Sequence, residues 1–301
     1  MDLPPAIETR GLSKRYKSAH ALRGLDLRVP AGSIYGLVGR NGAGKTTTIK
    51  ILMGLVHPTS GEGRVVGYRI DDVADGRRIR RGTAYVGEDR AMWPDMTVSE
   101  VLAVSRPFFP RWRTDLEREY LEAFEIPQQK RIGRFSKGAR SAFAMVLALA
   151  RGADLLLLDE PTEGLDPILV ERVLQALVRA VADNPVLTVF FSSHRLFEVE
   201  RIADRVGILH DGRLLFDDSL DELKTAYKRV VATFDDAPPD ALRTLDGVRH
   251  ARAEGRMIAL LASRHVDEIV AESRARGARQ VDAFPVSLND IFLDAVGDRV
   301  G

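Results

Sequence analysis

The segment Gly39-Arg40-Asn41-Gly42-Ala43-Gly44-Lys45-Thr46-Thr47 constrains this chain more than any other stretch. It satisfies the pattern G-x-x-x-x-G-K-[ST] at every fixed position. An apolar run, Ile34-Tyr35-Gly36-Leu37-Val38, precedes it and reads as a strand. Thr48-Ile49-Lys50-Ile51-Leu52-Met53 follows and reads as the start of a helix. Strand, glycine-rich loop and helix in that order predict a phosphate cradle. Gly39, Gly42 and Gly44 allow a tight turn and a close backbone approach. The loop residues, with Asn41, Ala43 and Thr47 among them, then turn N–H groups and the positive end of the helix toward an anion. Lys45 can reach terminal phosphates, and the Thr46 hydroxyl suits Mg²⁺. Nucleotide binding is the expectation.

Composition narrows the partners. The chain has 301 residues, 45% hydrophobic and 29% charged, enough for one large soluble domain and a small one. Its 44 basic and 43 acidic residues leave a formal charge of +1, so no nucleic-acid partner is expected from bulk electrostatics. No cysteine is present, which excludes disulfides and cysteine metal sites. Met1 to Arg10 carries Pro4, Pro5 and acids, not the basic and apolar segments of a secretory signal. The longest apolar run, Ala142 to Ala150, is too short to span a bilayer. Any membrane role is therefore expected through a partner.

Along the chain, Ala6 to Arg10 and Leu25 to Val29 read as strands, as do Arg64 to Val66 and Thr83 to Val86. Pro58, Ser60, Gly61 and Gly63 predict a loop between them. From Met92 to about Arg151 the character is helical, with helices predicted at Val98 to Val104, Thr114 to Phe124 and Lys137 to Ala150. Leu155 to Leu158 is a strand apolar on both faces. Asp166-Pro167 opens a helix running to Ala182. Strands follow at Val186 to Phe191, Val206 to Leu209 and Arg213 to Phe216, with a helix from Arg195 to Ala203. This alternation predicts an α/β sheet with helices on both faces. The pattern restarts near Lys228, giving residues 1–228 as one domain and 229–301 as a second, small α/β domain. Within it Val230 to Phe234, Met257 to Leu261 and Gln280 to Phe284 read as strands, and Val266 to Ala275 and Leu288 to Ala295 as helices. The tail from Val296 to Gly301 is expected to fray.

Leu155 to Leu158 leads directly into Asp159-Glu160. Ligands of parallel sheets sit beyond the carboxyl ends of the strands, so Asp159 is expected beside the loop, where a carboxylate can hold Mg²⁺. Glu160 can polarise an attacking water. Two further motifs complete the set: Phe135-Ser136-Lys137-Gly138-Ala139 at a predicted helix start, and His194 after a predicted strand in Phe191-Ser192-Ser193-His194-Arg195. Their order resembles that of the ATP-binding subunits of ABC transporters, from about Ala6 to Lys228. The fold implied is an ABC-type phosphate-loop ATPase core with an antiparallel β subdomain and a helical subdomain.

The resemblance assigns roles residue by residue. Tyr16 corresponds to the aromatic that stacks on adenine, and Glu88 stands where the family has a glutamine that senses Mg²⁺. Ser136 and Gly138 keep the donors of the Leu-Ser-Gly-Gly-Gln signature, while Lys137 and Ala139 depart from it. Lys137 either adds positive charge or faces solvent. Asp166, in Glu163-Gly164-Leu165-Asp166, is a dimer contact, a helix cap or both. His194 corresponds to the switch histidine on the γ-phosphate; His20, His57, His210, His250 and His265 show no metal spacing. Lys45, Glu160 and His194 are thus the implied catalytic set, with Thr46, Asp159 and Glu88 around Mg²⁺. The implied activity is ATP hydrolysis completed in trans by a second cassette, at the cytoplasmic face of the membrane. It would drive a separate permease of the exporter type through the helical subdomain. The C-terminal domain supports the dimer, regulates it, or simply packs on the cassette. Two rivals share the loop. A non-transport ABC ATPase of translation or repair usually brings two cassettes or a coiled-coil insertion. A small-molecule kinase leaves Ser136, Asp166 and His194 unexplained.

Overall fold

The computed structural model describes residues 4–17, 19–88 and 92–297. The chain divides into two compact units, Met1–Asp217 and Asp218–Gly301. In the larger one, β1 (Ile7–Tyr16), β2 (Ala19–Val29) and β3 (Ile34–Val38) lead to α1 (Lys45–Leu52). There follow β4 (Ser60–Val65), β5 (Tyr68–Arg69), α2 (Val73–Gly82) and β6 (Thr83–Val86). Three helices come next, α3 (Val98–Ser105), α4 (Thr114–Ala123) and α5 (Lys137–Ala150). The unit closes with β7 (Leu155–Asp159), α6 (Pro167–Asp183), β8 (Thr188–Ser193), α7 (Leu196–Ile202), β9 (Arg205–His210) and β10 (Arg213–Ser219).

Two sheets result. One runs β2-β1-β4-β5, antiparallel throughout; the other runs β10-β9-β3-β8-β7-β6, with parallel pairing from β9 to β6. The central strands β3, β7 and β8 are buried along their whole length, as strands covered on both faces must be. On one face Tyr35, Leu37, Leu155, Leu157 and Phe190 form a single cluster with Ile49, Ile51 and Leu52 of α1 and with Ile7, Leu25 and Val65 of the antiparallel sheet. Each fully buried leucine there is worth about 2 kcal/mol of transfer free energy. On the other face α7 lies so close that a Cβ at Gly36 would come within 2.3 Å of Val199. Helices therefore cover both faces, as the alternation predicts.

Among the segments that differ from expectation, such as the unexpected helix Leu220–Ala226 and the longer β1 and β2, three have a plain physical reason. Ser60 to Gly63 belongs to β4, not to a loop: Gly61 sits against Gly11 at an irregularity in the β1–β4 register, where a side chain would strike backbone. The helix α2 has only Gly76 and Ile79 buried, too few apolar positions to create a visible period. In the smaller unit β12 (Val248–Glu254), an edge strand whose exposed positions carry charge, also lacks a readable pattern. That unit comprises α8 (Leu220–Ala226), β11 (Lys228–Thr233), β12, β13 (Met257–Ala262), α9 (Val266–Ala275), β14 (Gln280–Pro285) and α10 (Leu288–Val296). Its antiparallel sheet runs β12-β13-β11-β14, and α9 packs on it around Val230, Ile258, Leu260 and Ile269. Residues 298–301 of the stretch expected to fray lie outside the described residues.

The helical stretch between β6 and β7 has its own polar anchor. Glu117 of α4 is buried and accepts from Arg106 through Nε (2.9 Å) and Nη2 (2.6 Å), and from Trp112 Nε1 (2.8 Å). Burial works to raise its carboxyl, but the hydrogen bonds from Arg106 and Trp112 outweigh burial and hold it below the usual 4.5. A depressed carboxylate stabilises fully above its unfolded pKa, and the contribution fades as pH falls through the folded one. Glu117→Gln is therefore expected to cost about 2 kcal/mol at neutral pH, with the gap to wild type closing in acid. Urea unfolding at pH 7 and again below pH 4 measures both.

Candidate functional site

Four strand ends meet at one edge of the parallel sheet: β3 delivers the glycine loop, β7 delivers Asp159 and Glu160, β8 delivers Ser193 and His194, and β6 delivers Glu88. The loop is shaped by two glycines for different reasons. Gly44 caps α1 with φ +113°, and a Cβ there would lie 2.5 Å from the Ala21 carbonyl. Gly39 has ordinary φ, but a Cβ would meet the Leu209 carbonyl at 2.4 Å, so packing excludes a side chain there. Ala43 fills the core beneath the loop.

Lys45 folds back into the loop. Its Nζ donates to the Gly39 carbonyl at 2.8 Å and lies 3.3 Å from Glu160 Oε1, with both side chains nearly buried. The other oxygen, Glu160 Oε2, is 2.8 Å from His194 Nδ1 and accepts the His194 N–H at 3.3 Å. One carboxylate thus stands between an ammonium and an imidazole. Glu160 occupies the left-handed region, φ +49°, a conformation that costs a non-glycine residue about 1 kcal/mol. Its N–H is held by Ser192 Oγ (3.1 Å), and the same hydroxyl donates to Asp159 Oδ1 (2.7 Å). Asp159 Oδ2 is buried with no hydrogen-bond partner.

A cleft of about 660 Å³ opens over these groups, lined among others by Asn41, Gly42, Gly44, Lys45, Thr46, Thr47, Glu88, Glu160 and His194. Ala21, Glu163, Gly164 and Arg195 line it too. Ala21 comes from the β1–β2 hairpin, and no local motif points to it; Arg195 adjoins His194 in sequence. Asp159 and Thr46 border a neighbouring recess of about 520 Å³ that shares Glu88 with the cleft. Orphaned carboxylate oxygen, hydroxyl and second carboxylate are hard oxygen donors of the kind Mg²⁺ takes, so the residues fit that ion.

The other motif residues stand outside the cleft lining. Tyr16, 44% exposed at the end of β1, has the Lys14 ammonium over its ring at 4.9 Å. Ser136 caps α5, accepting the Ala139 N–H at 3.1 Å. Lys137 pairs with Glu163 Oε1 at 2.7 Å, so it does not simply face solvent. Gly138 lies against Gly164, where a Cβ would meet the Gly164 carbonyl at 3.1 Å. Asp166 caps α6, accepting the N–H groups of Ile168 and Leu169 at 3.0 Å each.

Comparison with known proteins agrees with this geometry. The profile of the ABC transporter family matches residues 22–163. The bacitracin transport ATP-binding protein BcrA of Bacillus licheniformis is 36% identical over 225 residues, 74% of this chain and 72% of BcrA. The ABC transporter ATP-binding protein YtrB of Bacillus subtilis (strain 168) is 28% identical over 293 residues, 97% of this chain and 99% of YtrB. A solved ATP binding subunit of an ABC transporter is similar with a TM-score of 0.66 at 30% identity, over 73% of this chain and 92% of that one. Fold and site together define a phosphate-loop ATPase with the cassette architecture. This chain belongs to the ATP-binding proteins of ABC transporters, a family of ATPases.

Proposed function

We propose that this chain is the cassette subunit of an exporter whose permease is a separate polypeptide, acting at the cytoplasmic face of the membrane. The larger unit is the cassette and the smaller an accessory domain, and the boundary between them falls at Asp217–Asp218, ahead of the one expected near Lys228, because α8 belongs with the smaller unit. The observation that carries the catalytic part is the Lys45–Glu160–His194 chain, buried at Lys45 and Glu160 and open to solvent at His194, beside an unpartnered Asp159 oxygen. ATP lies along the loop from Gly39 to Thr47 with its adenine on Tyr16. Lys45 turns from Glu160 to the β- and γ-phosphates, which shifts the Glu160 carboxylate from countering an ammonium to polarising a water. His194 donates to the γ-phosphate and keeps its contact with Glu160 through the backbone N–H. Thr46 and Asp159, with Glu88 beside them, would hold Mg²⁺. Bound there, that ion supplies neutralisation of phosphate charge.

The trans arrangement rests on the position of the α5 N-terminus. Ser136 and Gly138 present a helix N-terminus outside their own cleft, as donors offered to a second cassette must be. Asp166 follows on the same Glu163–Leu165 turn and would meet that partner. The recess beside Asp159 is lined by Leu55, Met92, Trp93, Phe109 and Trp112, with Leu55 and Trp93 more than half exposed. An apolar recess of this kind suits a docking segment of the permease. Because it shares Thr46 and Glu88 with the nucleotide cleft, a segment seated there would feel the nucleotide directly. No helix among the described residues is long and apolar enough to cross a membrane. The transport reading is preferred to translation or repair because BcrA and YtrB are both named as transporter proteins.

The test is assembly. Light scattering of the purified chain should give a doubled mass with ATP under non-hydrolysing conditions and a single-copy mass without it. From cells, the tagged chain should sediment with membranes and co-elute in detergent with a polytopic protein. A mass unmoved by ATP, or recovery with ribosomes or DNA, would overturn the proposal.

A further inference from the structure

Among the described residues, Glu198 is the most completely buried carboxylate that the chemistry above leaves unused. It lies in the first turn of α7 and is 0% exposed. Three side chains converge on it. Thr162 Oγ1 donates to Oε2 at 2.6 Å, Ser193 Oγ donates to the same oxygen at 3.2 Å, and Arg195 Nη1 donates to Oε1 at 3.2 Å. Thr162 and Ser193 are themselves buried. Their identities matter: Ser193 and Arg195 flank His194, and Thr162 is two residues beyond Glu160. Ser193 is further locked to this strand end, because its hydroxyl accepts the Arg195 N–H at 2.9 Å.

The geometry points to Glu198 as a positioning residue for ATP turnover, tying the segment that carries Glu160 to the segment that carries His194. The inference rests on the reading of those two residues as the turnover pair. Besides Glu198, the two segments are joined by the β7–β8 ladder, which ends at Asp159 and Ser192, by the Ser192 hydroxyl and by the Glu160–His194 contact; the ladder stops short of Glu160 and His194, and their contact must change when water and phosphate enter. Glu198 supplies a fixed strut beside a contact that works. The strut needs an acceptor on both oxygens. An ionised carboxylate offers lone pairs to all three donors, whereas an amide would turn an NH₂ toward one of them. The loop that grips ATP lies between β3 and α1 and takes no part in this network. Loss of Glu198 should therefore damage turnover and spare nucleotide affinity.

The experiment compares Glu198→Gln and Thr162→Val with the wild-type chain, measuring kcat, KM, the Kd of a non-hydrolysable ATP analogue and thermal midpoint. Glu198→Gln should lower kcat about 10- to 100-fold, the size of loss that an ångström of misplacement produces, with KM and Kd near wild type. Thr162→Val, which removes one donor and keeps the shape, should lower kcat several-fold at unchanged Kd. Combined, the two should cost little more than Glu198→Gln alone, since both cut the same strut. If Glu198→Gln fails to fold, Thr162→Val decides by itself. A kcat within about twofold of wild type in the folded variants, or a loss of Kd in step with kcat, overturns the role. Should the wild-type chain itself release no phosphate from ATP, the turnover reading fails instead, so the two failures are distinguishable.

Discussion

Glu160→Gln should leave ATP bound and stop its hydrolysis, with phosphate release falling about a thousandfold, within the usual range for removing a positioned base. The substitution is nearly isosteric. A glutamine can still accept the His194 N–H, which Glu160 Oε2 now accepts at 3.3 Å, so the strand ends should hold. What disappears is the carboxylate charge 3.3 Å from Lys45. On the proposed reading that charge would compete with the phosphates for the ammonium, so nucleotide affinity should stay or rise. If cassettes pair around ATP, the variant should also accumulate as an ATP-bound dimer. Phosphate release, nucleotide titration and light scattering together check this. Turnover within tenfold of wild type would mean that another group activates the water.

Lys45→Ala should act on the earlier step. On the proposed reading Lys45 turns to the phosphates when ATP binds, so removing its charged donor should weaken ATP binding by about 3 kcal/mol, roughly a hundredfold in Kd. It should also cost stability, because Glu160 is left nearly buried without its ammonium partner. The two effects can be separated. Adding Glu160→Gln to Lys45→Ala removes the stranded charge, so the thermal midpoint should recover while the binding defect persists. Recovery of binding along with stability would mean that Lys45 serves the loop's structure and not the nucleotide. Titration with a fluorescent ATP analogue, read beside thermal unfolding, gives the answer.

The glycine loop, the acids after four leucines and the cap at Asp166 were readable because each is set by neighbours in the chain. A left-handed glycine, a helix start and a strand buried on both faces need only a few consecutive residues to declare themselves. The same holds for the three helices between β6 and β7, whose apolar spacing is local. By contrast, α2 and β12 bury too little apolar surface to carry a period, and the glycines of β4 resemble a turn until the strand they pair with is known.

What only the tertiary structure decided is which donor meets which acid. The sheet order inserts β8 between β3 and β7, and that crossover brings His194 to Glu160 across 34 residues and Thr162 to Glu198 across 36. Lys137 at the start of α5 meets Glu163 across 26 residues, and Ala21 enters the cleft from the β1–β2 hairpin. Strand order follows from how the helices pack on the two faces, a property of the whole core, so no short stretch of residues encodes it.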